Sequence, residues 1–152
     1  MSSVLTLQLC NVSAVVGVDA ELEESSQYDV GQCEERIVSQ WRELSVDERT
    51  QLPDKVDEIL RPLGLQTRLL VVERANSIAL FFVCVMLSAL MSLRDHWSTG
   101  QLRDIVQSLF CVLSGSSVYV KRLTWLVTDF ERCLQLFNSL QGKLTAVGLN
   151  HK

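Results

Sequence analysis

Two histidines, five cysteines and paired acids such as Glu34-Glu35 and Asp57-Glu58 are the residues in this chain that could do chemistry. A thiolate nucleophile needs a base beside it. Cys33 and Cys133 could serve only with such a base, and the sequence offers none. A metal site needs imidazoles, thiolates or carboxylates at ligand spacing. His96 and His151 stand near a loop and at the terminus with no such spacing around them. Glu34-Glu35 and Asp57-Glu58 could share a proton in acid–base work, but solvated helix faces explain them. There is no glycine-rich phosphate loop and no nucleophile elbow. The expectation is no catalytic residue, no metal, no cofactor and no enzyme.

The cysteines, at 10, 33, 84, 111 and 133, are odd in number and form no CxxC pair. Cys84 and Cys111 sit inside apolar runs, which reads as buried thiols in a reducing compartment. A chain of 152 residues fits a single domain, 1–152, with a flexible tail expected from about 142. Net charge is −4, so no nucleic-acid partner is expected. The charge is uneven: Asp19 to Glu58 holds thirteen acids and four bases, and Ile59 onward holds ten bases and five acids. The apolar stretch Val4–Val18 has no basic residue before it, so no signal peptide is expected. Asn11-Val12-Ser13 matches a glycosylation sequon of a kind common by chance.

Periodicity then suggests the elements. Val4–Val18 is β-branched, but with no second strand in view it is assigned as helix. Ala20–Gln27 reads as a loop. Val30, Cys33, Ile37, Trp41 and Leu44 recur at helical spacing. Ser45-Val46-Asp47-Glu48 is a capping box that opens a short helix ending near Leu52. Val56, Ile59, Leu60 and Leu63 form the next stripe, with Pro53 suited to its first turn and Gly64 to its exit. Leu65–Leu93 reads as one long helix or a kinked pair. Ser98–Gln101 is a second capping box, leading to the stripe Leu102, Ile105, Val106, Leu109, Phe110 and Leu113. Ser114–Ser117 interrupts. Val118, Leu123, Trp125 and Leu126 continue the apolar signal, and Phe130, Cys133, Leu134 and Phe137 make a last short helix before Gly142. The fold expected is all-α, with seven or eight helices.

Ala75–Leu93 carries no charge and approaches the roughly 20 residues a membrane helix needs. It also contains Asn76, Ser77, Ser88 and Ser92, and its flanks show no positive-inside bias. The amphipathic helices around it each need an apolar partner. A buried central hairpin, Leu65–Leu93 against Leu102–Leu113, supplies one without an integral membrane anchor.

A central hydrophobic hairpin wrapped by amphipathic helices resembles the Bcl-2 family of apoptosis regulators. The residues that carry the resemblance are "VDEILRPLG" (Val56–Gly64), "IALFF" (Ile78–Phe82) and "TWLVTDFERCLQLF" (Thr124–Phe137). The family's Asn-Trp-Gly-Arg core is missing, as in divergent homologues of large DNA viruses, iridovirus-like ones among them. The resemblance implies an anti-apoptotic protein of the host-cell cytoplasm, with peripheral association at mitochondria. It would sequester a Bim-like helix of a pro-apoptotic relative in a surface groove. The implied groove residues are Ile37, Trp41 and Leu44 on one helix, Val56, Ile59, Leu60 and Leu63 on another, and Ile78 and Phe81 on the floor. Arg68 or Arg74 would meet the ligand's acid; six residues apart on a helix, they would not both face one groove. An open groove also implies a homodimer. The alternatives are a helical adaptor using the acidic 19–58 face and a small helical membrane protein anchored at 75–93.

Overall fold

A computed structural model describes residues 13–45 and 53–150. The chain is not all-α. It builds a four-stranded antiparallel sheet in the order β2-β3-β1-β4 and lays helices against it. In chain order the elements are β1 (Ala14–Leu22), α1 (Val30–Ser45), α2 (Asp54–Leu60), a 3₁₀ turn (Arg61–Leu63), β2 (Thr67–Arg74) and β3 (Ile78–Cys84). Then follow α3 (Leu87–Ser98), α4 (Gln101–Ser114), β4 (Val120–Thr124) and α5 (Val127–Asn150).

The stretch assigned as one long helix, Leu65–Leu93, is a β-hairpin followed by the start of α3. Val71, Val72, Ile78 and Val83 are branched at Cβ, and Phe81 and Phe82 are aromatic, all of which favour a pleated surface. Asn76-Ser77 supplies the turn, closed by a 2.7 Å bond from the Ala75 amide to the Ser77 carbonyl. Ile78, Leu80, Phe82 and Cys84 point into the core, and Ala79, Phe81 and Val83 point away. β3 lies between two strands and has apolar residues on both faces. It therefore shows an unbroken apolar run that period alone does not separate from a buried helix.

β1 overturns the helix assigned to Val4–Val18, the early part of which lies outside the described residues. The second strand that the sequence hid is β3, paired with β1 from Ala14↔Cys84 to Ala20↔Ile78. Ala14, Val16, Val18, Ala20 and Leu22 form its buried face. The strand reaches into the segment assigned as a loop from Ala20. The Val118–Leu126 apolar signal is β4 and the turn after it.

The helices α1, α2 and α4 stand where the stripes place them. Asp29 opens α1, its carboxylate accepting the Gln32 amide at 3.1 Å. The short helix proposed after Ser45 lies outside the described residues. The Ser98–Gln101 capping box is absent as such. The Ser98 and Thr99 hydroxyls donate to the Asp95 carbonyl at 3.1 and 2.9 Å and close α3 instead of opening α4. Gly100 then reverses the chain at φ +87°, a left-handed conformation that glycine adopts without strain.

α1 packs on β2 and α4, α2 on α4, α4 on β4, and α3 on β2 and β3. The core lies between this helical layer and one face of the sheet. Ile37, Val56, Leu63, Leu80, Phe82, Leu90, Leu102, Leu109 and Phe110 are among its buried members. Among the described residues no helix is long and apolar enough to cross a membrane.

Candidate interaction face

The sheet has two faces, and the packed helices cover one. The other is assembled from three strands in register. Arg68, Val83 and Val15 form one row across β2, β3 and β1; Val71, Phe81 and Gly17 form the next; Glu73, Ala79 and Asp19 form the third. Glu21 follows on β1, opposite Arg122 of β4. Val15 and Val71 are each 42 % exposed, while Phe81 and Val83 are partly exposed between them. The uncovered face of an antiparallel sheet is normally polar. Here its centre is apolar and its charges sit at the ends.

Two local features shape this face. Gly17 leaves room for the Phe81 ring, since a Cβ there would stand 3.4 Å from the Phe81 Cε1. The ladder between β2 and β3 also shifts register between Leu69 and Val71. Without that bulge, Arg68 and Arg74, six residues apart, would share a face. The extra residue changes the parity. Arg68 stays on the uncovered side, and Arg74 turns under the sheet to Glu34 of α1, 3.6 Å away.

α5 completes the sheet from the side. β4 pairs with β1 only over Asp19–Leu22. Beyond that, side chains of α5 take the edge groups of β1. The Gly17 amide donates to Asp129 at 3.1 Å, and the Val15 carbonyl accepts from Arg132 and from the Cys133 thiol. Asp129 is held by the Trp125 indole at 3.0 Å and by Arg132 at 2.9 Å. An edge strand is thereby blocked by polar side chains. Behind it the Arg94 guanidinium stacks among Trp97, Trp125 and Phe130, 4.5, 5.2 and 4.6 Å from their centres. Its buried Nη1 has no hydrogen-bond partner among the described groups.

The residues implied as a groove do not converge. Ile37 and Trp41 are buried, and the Trp41 indole donates to the Leu70 carbonyl at 3.1 Å, pinning α1 to the bulge. Val56, Leu63 and Ile78 are core, and Leu44 packs partly buried beside it. Ile59 faces a shallow groove between α2 and α4, whereas Leu60, Leu63 and Arg68 line a separate cavity of about 400 Å³. Of that set only Arg68 and Phe81 reach the uncovered face. Val15, Val71 and Val83 were missed. Their signal is period-two alternation beside Asp19 and Glu21 in β1, and β-branched residues between charged ends in β2.

Burial shifts several of the titratable groups. Burial pushes the Cys84 thiol up to about 11, against a weaker pull from its contact with Thr67. Burial likewise raises Cys33 and Cys133, so these thiols stay protonated and poorly nucleophilic. Burial also raises Glu34, with Arg74 opposing it. Among the described residues, no three His, Cys, Asp or Glu side chains are grouped to hold a metal. No protein family, characterised protein or solved structure matches the chain. The all-α bundle that the implied groove requires is not what the chain builds, because its helices pack with a four-stranded sheet.

Proposed function

We propose that this chain is a protein-interaction module whose docking surface is the uncovered face of the sheet. The observation that supports this most directly is the cluster of Val15, Val71, Phe81 and Val83, aligned across three strands and left open to solvent. Removing such apolar area from water is favourable by about 25 cal/mol per Å², and contiguous exposed patches on a folded domain mark binding surfaces. The acids of the 19–58 segment do not form one face. Asp19 and Glu21 border the sheet surface, Glu34 is buried against Arg74, and the other described acids are divided among the connection after β1 (Glu23, Glu24, Asp29), α1 (Glu35, Glu43) and α2 (Asp54, Asp57, Glu58). The partner is therefore a protein with a flat apolar surface flanked by charges that complement Arg68 at one end and Asp19 and Glu73 at the other.

A photoreactive amino acid placed at Val71 tests this, with the same probe at the equally exposed Met91 of α3 as control. In extracts of cells that express the chain, the probe at 71 should give a discrete protein adduct that Phe81→Asp abolishes. Adducts that are the same from both positions, or that ignore Phe81→Asp, would place binding elsewhere.

A further inference from the structure

We infer that the uncovered sheet face takes a second copy of this chain, packed sheet to sheet about a two-fold axis; this rests on the face being a docking surface. The charges on β2 make the face complementary to itself. Arg68 lies beside Val83 and Glu73 beside Ala79, and Phe81 stands midway between those two β3 residues. Both charged side chains are exposed, and neither has an ion-pair partner among the described residues.

A two-fold axis through the row of Val71, Phe81 and Gly17, running across the strands, exchanges the row above with the row below. It sets Arg68 of each copy opposite Glu73 of the other and brings the two Phe81 rings and the two Val71 side chains together at the centre. Such a contact is isologous and closes on itself, so it stops at a dimer. Packed sheets lie about 10 Å apart, a gap that an arginine and a glutamate reaching from opposite sides can bridge. The same operation lays Val15 near Asp19 of the second copy, which is the weakest point of the contact. One sheet face belongs at the small end of specific interfaces, near 1,200 Å² in total, so the association depends on concentration.

Sedimentation equilibrium of the full chain, from low micromolar to millimolar protein, decides the matter. The expected mass moves from one chain to two. Phe81→Asp and Val71→Asp should each hold the chain at one copy with an unchanged circular dichroism spectrum. Arg68→Glu alone and Glu73→Arg alone should each weaken the dimer at least tenfold, and the two together should restore it. Asp19→Asn should tighten it. A wild-type chain that stays single throughout overturns the proposal. So does a dimer indifferent to Phe81→Asp, or one in which the double reversal fails to restore what the single ones lose. If the chain is single but a probe at 71 still captures another protein in a Phe81-dependent way, the docking face stands and only the second copy falls. If neither occurs, both fall.

Discussion

Leu80 and Phe81 are neighbours in the chain and lie on opposite sides of the sheet, so equal truncations should have unequal effects. Leu80 is fully buried, and Leu80→Ala should cost roughly 2–5 kcal/mol in urea unfolding. Phe81→Ala should cost less, about 1–2 kcal/mol, because its ring is partly exposed and has less buried surface to lose. Equal losses would contradict the placement of the two faces. Arg94 gives a second contrast. Its planar guanidinium can stack on three rings where an ammonium does not, so Arg94→Lys should lose about 1 kcal/mol. Arg94→Met, which keeps the stem and removes the unpartnered nitrogen, should lose less. Glu34 carries a pH dependence. Burial raises its carboxyl above the ordinary range, so the folded state holds that proton more tightly than the unfolded chain does. Its contribution to stability is full below the ordinary carboxylate range and is lost as pH rises through the raised value. Urea midpoints from about pH 4 to about pH 8 should therefore fall less for Glu34→Gln than for the wild type. Arg74→Met, which removes the opposing cation, should make the fall steeper.

At the level of elements, α1, α2 and α4 were legible and the strands were not; α3 was merged with the β-hairpin before it, and α5 runs Val127–Asn150 where a short helix ending before Gly142 was expected. The stripes of α1, α2 and α4 are amphipathic, and one-sided burial writes a 3.6-residue period into the sequence. β3 is apolar on both faces, so the period-two signal that would have marked it is erased. β1 shows that signal in Asp19 and Glu21, but a strand is recognised by its partner, and the partner was concealed. The bulge at Leu70 was illegible for the same reason: it is defined by register against β3. The candidate face was therefore missed except for Arg68 and Phe81. Its edge carries a prediction of its own. Asp129 accepts from Gly17 and Trp125 and pairs with Arg132, so Asp129→Ala leaves the β1 edge without its acceptor. The expected loss is about 1–3 kcal/mol, with faster hydrogen exchange at the Gly17 amide. Exchange there at the wild-type rate would mean that α5 does not guard the edge.

For the whole molecule, the consequence of this topology is asymmetry. Four helices are gathered on one side of an antiparallel sheet, α5 and β4 close one flank, and the opposite face is left with an apolar centre. The acidic first half and the basic second half of the chain do not form opposed surfaces, because the sheet interleaves them: β1 brings Asp19 beside Ala79, and β2 carries Arg68 and Glu73 on one side. Sequence charge blocks were therefore a poor guide to surface charge, while register is a good one. The central claim is that Phe82 belongs to the core and Phe81 to a docking surface. Hydroxyl-radical footprinting read by mass spectrometry, on dilute chain and again with the protein captured through position 71, tests it most directly. The account predicts ready oxidation of Phe81 and little of Phe82 in the dilute chain, with Phe81 alone becoming protected in the complex. Comparable oxidation of both rings, or a Phe81 that stays reactive in the complex, would contradict it.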